Sequence, residues 1–146
     1  MRLDVELSSP APRTSYTGRT YRHIAEQWDD PLSGEGACIN GGRFNPPDSF
    51  PVLYLCTTRA CAVAELRLRG ERLVFGIEGL LPRILYRYEE ALEQVLDLTS
   101  DETLEHLGVT VGQVVGPELT IPRQIGESAP CQRGARNSGS FRNWHR

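Results

Sequence analysis

The chain is predicted to fold as a single domain of the α+β class, built from short strands and short helices, on three observations. Short apolar or alternating stretches recur at Thr20–Ile24, Val52–Cys56, Leu73–Ile77, Ile84–Tyr88 and Val95–Leu98, the pattern of buried and half-buried strands. Between and after them lie helix signals only a few turns long, with their own start and stop residues. A length of 146 residues allows one hydrophobic core and leaves little room for a second.

Composition narrows the class. With 39% apolar and 24% charged residues the chain is an ordinary globular sequence. No run approaches the roughly 18 apolar residues that cross a bilayer, so no membrane association is expected. The opening Met1–Ser15 carries acidic residues and no apolar core, unlike a secretory signal, and a cytoplasmic location is expected. A net charge of −3 offers nucleic acid no overall attraction. All 16 basic residues are arginine. The cysteines Cys38, Cys56, Cys61 and Cys131 form no Cys-x-x-Cys pair and lie far from the three histidines, so no metal site is expected. Cys56 and Cys61 read as small buried apolar residues, and spacing suggests no His or Asn partner that would make Cys61 a nucleophile.

In chain order, residues 1–17 contain Pro and Ser without periodicity and read as a loose arm. Thr20–Ile24 is a short strand. Ala25 to Gly42 is polar, punctuated by Pro31, Gly34, Gly36, Gly41 and Gly42, and shows no helix period. A loop of that length in a compact domain is uncommon and often functional. Pro46, Pro47 and Pro51 hold the next segment extended, and Val52–Cys56 reads as a buried strand. Thr57 or Thr58 can cap a helix that runs to about Arg69, where Gly70 is expected to stop it. Its apolar stripe reads as Ala60, Cys61, Ala64 and Leu68, with Glu65 beside it at the core's edge. Thr99 with Glu102 has capping-box spacing, so a helix is expected over Ser100–Leu107 with Gly108 at its end. Val109–Leu119 is ambiguous, and Pro122 suits the start of a short helix to Ala129.

The last residues, Cys131–Arg146, contain four arginines and no acid, so without them the net charge would be −7. They show neither strand alternation nor a helical face. Residues 18–129 therefore read as the domain and 130–146 as an atypical basic tail.

Four side chains could share a chemistry. Arginine forks pair with diphosphates, which suits Arg22 and Arg43. Gly41 and Gly42 would let backbone approach a ligand. Tyr54 could stack on a flat ring or bond a ribose hydroxyl. A carboxylate such as Glu65 beside an anomeric carbon would stabilise an oxocarbenium-like transition state. Each residue alone also fits a structural role: surface ion pairs for the arginines, core packing for Tyr54, a solvated helix face for Glu65.

The ordered blocks Tyr21-Arg22, Leu32–Ala37, Gly41–Pro47, Phe50–Leu55 and the helix bearing Glu65 together resemble the RES domain family, the toxin half of RES–Xre toxin–antitoxin pairs. The resemblance implies a fold similar to ADP-ribosyltransferases, a mixed sheet with flanking short helices. It implies degradation of NAD+ at the nicotinamide–ribose bond, by phosphorolysis or hydrolysis, with inorganic phosphate as co-substrate in the first case and no separate cofactor. Arg22, Arg43 and Glu65 would be catalytic. Arg22 and Arg43 would hold the phosphates and the nicotinamide ribose, and Tyr54 would line the nicotinamide pocket. His23, where some relatives carry an aromatic residue, would contribute to substrate binding. An Xre-type helix-turn-helix antitoxin would be the partner, with homo-oligomers or hetero-oligomers both open and no direct nucleic-acid contact. Some relatives resemble protein ADP-ribosyltransferases instead. The tail sits where the family continues with a serine-bearing strand, so the family serine is not assigned. An altered or truncated C-terminus leaves a second expectation: an inactive remnant that still binds antitoxin or NAD.

Overall fold

The computed structural model describes residues 11–128; the basic tail and the first residues of the arm lie outside this range. The fold is mixed α/β with a two-stranded antiparallel sheet. The described residues form two compact units, one from 11–16, 34–52 and 92–128, the other from 17–33 and 53–91.

Strand β1 (Thr14–Ala25) pairs with β2 (Arg83–Val95), and most residues of both fall in the second unit. β1 is longer than the sequence suggested because it begins at Thr14, within the segment read as an arm. Its threonines and tyrosines suit an extended pleated chain, and Thr20 and Ile24 turn inward on one face. On its other edge β1 meets Cys56 in an isolated antiparallel bridge, Tyr21 N–H to Cys56 O at 2.7 Å and Cys56 N–H to Tyr21 O at 2.9 Å. That bridge is all that forms of the expected Val52–Cys56 strand.

Helix α2 (Arg59–Glu71) starts as expected, with the Thr58 hydroxyl accepting from Cys61 N–H. Its end and its buried face differ from expectation. Gly70 lies inside the helix and is buried, because a Cβ there would sit 2.7 Å from Ile77 Cα. The residues turned inward are Ala62 and Gly70, while Ala60, Cys61, Ala64 and Leu68 are exposed. Small size, not hydrophobicity, selects this face. The expected strand at Leu73–Ile77 is instead a run of turns leading into a 3-10 turn, Ile77–Leu80.

The first unit is built on a core of Ala11, Leu104, Leu107, Val109, Val114 and Ile125, with Phe44, Leu96, Leu98 and Ile121 packed against it. Burying each large aliphatic side chain contributes about 1.5–3 kcal/mol. Helix α1 (Glu35–Asn40) occupies part of the segment expected to be all loop; at under two turns it is too short to show a period in sequence. β2 ends at Val95, so no separate strand forms at Val95–Leu98. Helix α3 (Asp101–Leu107) is capped by Ser100 rather than Thr99, whose N–H and hydroxyl both bond the Asp97 carboxylate. Gly108 closes α3 at φ 65°, a conformation that favours glycine. Helix α4 (Val111–Val115) resolves the ambiguous region through a capping box of Thr110 and Gln113. Helix α5 (Thr120–Ser128) begins two residues before Pro122.

Candidate functional site

Arg22 and His23 sit near the inner end of β1, where the second unit gathers positive charge. Arg22 Nη1 donates to the Pro31 carbonyl at 3.0 Å, and the Tyr88 hydroxyl donates to the same oxygen at 2.6 Å. The loop after β1 is thereby tied to both strands through one acceptor. Burial pushes the Tyr88 phenol up to about 12 against the opposing pull of Arg22, so it remains a donor at neutral pH.

Across the sheet, Arg83 Nε donates to His23 Nδ1 at 2.7 Å, and Arg83 Nη2 donates to the His23 carbonyl at 3.4 Å. A guanidinium can only donate, so Nδ1 is the unprotonated nitrogen and the proton of the neutral ring is on Nε2. Burial, then the charges of Arg83, Arg69 and Arg22, push His23 down to about 4. Arg83 is itself lowered by burial and by Arg69 and Arg22. Three arginines thus press on one neutral imidazole. Such a cluster is poised for an anion, which would relieve the mutual repulsion of its cations.

Glu65 projects from α2 one turn before Arg69. Its carboxylate and the thiols of Cys56 and Cys61 have donor atoms all within 4.8 Å of one another, with Cys56 buried and the other two exposed. Burial, a hydrogen bond with Cys61 and the Glu65 charge push the Cys56 thiol up to about 12. Through the Tyr21–Cys56 bridge, this group is held next to the β1 residues that precede Arg22. Tyr54 is half-buried on the extended segment leading to that bridge.

Arg43 belongs to the first unit. Its Nη1 donates to Val114 O at 3.1 Å and Gly116 O at 2.8 Å, which closes the C-terminal end of α4 where a cation is favoured. The surrounding loop is bound to itself. Asn45 is fully buried and donates to Ala37 O at 2.7 Å and Phe50 O at 3.1 Å. Gly41, at φ 71°, has Pro47 N 2.7 Å from where a Cβ would be, so its lack of a side chain serves the chain's own close approach.

The domain model described as "RES domain" matches residues 18–137 of this sequence. The chain belongs to the RES domain family. Curated relatives include the proteins named NAD(+) phosphorylase MbcT of Mycobacterium bovis and Mycobacterium tuberculosis, each 30% identical over 102 residues, 68% of this chain and 55% of the relative. The chain therefore spans about half the length of these relatives. The crystal structure of the M. tuberculosis MbcT–MbcA toxin–antitoxin complex matches with a TM-score of 0.63 and 26% identity, covering 79% of this chain and 63% of that one.

Within this RES domain, Arg22, His23, Tyr54 and Glu65 fall in one compact unit, and Arg43 in the other. Sequence reading missed Arg69, Arg83 and Tyr88. Arg69 was discoverable, standing four residues after Glu65 on a predicted helix and so on the same face. Arg83 and Tyr88 reach the site only through strand pairing across some sixty residues, a register the sequence pattern does not set.

Proposed function

We propose that this RES domain is the NAD+-consuming toxin of a toxin–antitoxin pair, cleaving the nicotinamide–ribose bond. The observation that carries the reading is the cluster of Arg22, Arg69 and Arg83 around a neutral His23, on the same compact unit as the Glu65 carboxylate. Family membership and the NAD(+) phosphorylase relatives support it.

In this reading the arginines hold the NAD+ diphosphate, and His23 donates from Nε2 to a phosphate or ribose oxygen. Tyr54 lines the nicotinamide side. As the C1′–N bond breaks, its electron pair goes to the pyridinium nitrogen and nicotinamide leaves neutral, so no strong general acid is required. The positive charge left on the ribose is stabilised by Glu65. A phosphate oxygen then forms the new bond to C1′, giving a sugar phosphate; water in its place would give ADP-ribose. An ADP-ribosyltransferase-like fold, an Xre-type antitoxin partner and action in the cytoplasm complete the proposal.

Incubation of the purified chain with NAD+ and inorganic phosphate tests it, with nicotinamide release read by chromatography and the sugar phosphate by phosphorus NMR. Glu65→Gln is expected to slow release by about 10²–10³-fold, the usual loss when a transition-state electrostatic contact is removed. Nicotinamide release unchanged in Glu65→Gln, or no release by the parent chain, would refute the reading.

A further inference from the structure

We propose that Cys56, Cys61 and Glu65 form a binding site for a zinc-class divalent cation, and that filling it withdraws Glu65 from the substrate. The second clause rests on the NAD+ reading; the first does not.

Two thiols and one carboxylate are a donor set suited to Zn2+ or Cd2+. A tetrahedral zinc holds thiolate sulfur at about 2.3 Å and carboxylate oxygen at about 2.0–2.2 Å, so its donors stand about 3.5–3.8 Å apart. Here the three donor atoms already lie within 4.8 Å of one another. The closure needed to reach tetrahedral spacing is therefore small, on the order of 1 Å.

The backbone under all three ligands is fixed. Cys56 is held by its paired bonds to Tyr21, and Cys61 N–H is fixed by the Thr58 cap. Glu65 follows Cys61 by four residues on the same helix and so shares its face. Cys61 and Glu65 are exposed, giving an ion a way in, while buried Cys56 forms the floor. Binding forms two metal–sulfur bonds and one metal–oxygen bond, and the thiol protons pass to solvent with no change of oxidation state. Three protein ligands leave a fourth position for water.

The test titrates the reduced full-length chain with Cd2+ and follows the ultraviolet sulfur-to-metal charge-transfer band. A band saturating at a single ion per chain is expected. Cys61→Ser, at an exposed position, should diminish the band and weaken binding at least about tenfold, whereas Cys38→Ser and Cys131→Ser should leave both unchanged. A band undiminished in Cys61→Ser, or one that is lost with Cys38→Ser, would overturn the site. In the turnover assay Zn2+ should stop nicotinamide release by the parent chain, reversibly with a chelator, and should not affect Cys61→Ser. Cd2+ binding with undiminished release under Zn2+ would overturn the effect on Glu65. An absence of release before any metal is added would count against the NAD+ reading alone, because the Cd2+ titration decides the site independently.

Discussion

At the scale of single residues, the state of His23 controls what the arginine cluster can bind. A charged imidazole among Arg22, Arg69 and Arg83 would add a fourth cation where the fold already crowds three. The folded value of about 4 lies below the ordinary 6.5, so the fold favours the neutral ring. The resulting stability is complete above pH 6.5 and is lost as pH falls toward 4, since only the unfolded chain takes up the proton in that window. Histidine ring resonances followed by NMR should show His23 not titrating between pH 7 and 5. In Arg83→Gln its midpoint should move upward, because the nearest charge is gone. A His23 midpoint near 6.5 in the parent chain would contradict the assignment. Glu65 and Arg22 could be singled out in the sequence because their types and order match the family pattern. The nitrogen of His23 that bears the proton was not legible, since it depends on a strand partner sixty residues away.

At the scale of elements, the starts of α2 and α3 were legible and the buried face of α2 was not. Thr58 and Gly108 do what their chemistry predicts, because caps are decided within a few residues. Even the error at Thr99 is local: Asp97 captures its hydroxyl and Ser100 takes the cap. The face of α2 is decided elsewhere. Apolar periodicity placed Leu68 inside, yet Ala62 and Gly70 are the buried residues, because the 73–77 turn comes down on Gly70. This sets two known effects against each other in Gly70→Ala. Helix propensity favours alanine by about 1 kcal/mol. The new methyl would stand 2.7 Å from Ile77 Cα and 2.8 Å from Ile77 N, backbone atoms that cannot rotate away. Overpacking of that kind costs about 1–3 kcal/mol, so the clash should win. Chemical denaturation is expected to show Gly70→Ala less stable than the parent; a gain in stability would mean that the turn does not pack on α2 as described.

At the scale of the whole molecule, the sequence's moderate apolar content concealed how unevenly that content is distributed. The core of the first unit gathers residues of helices α3 to α5 and the turns beside them around Ala11, which lies in the stretch read as a loose arm. In the second unit, much of the large apolar surface stays outside. Val63, Leu68, Leu73, Val74, Phe75, Ile77 and Leu81 are all exposed, with Val74 at 97% and Phe75 at 82%. Sequence reading assigned Leu73–Ile77 to a strand, and hydrophobicity alone could not show that the segment turns outward. Exposed apolar residues this concentrated bind hydrophobic probes and promote self-association. Phe75→Ser distinguishes an open surface from a hidden core. A buried phenylalanine cut to a small residue loses about 3–5 kcal/mol, whereas an exposed one changes stability by no more than about 0.5 kcal/mol. The variant should therefore melt within a degree or two of the parent while binding less of a fluorescent hydrophobic dye and scattering less light at high concentration. A large drop in melting temperature would place Phe75 in a core and overturn the outward turn, and with it the account of why Gly70 must be glycine.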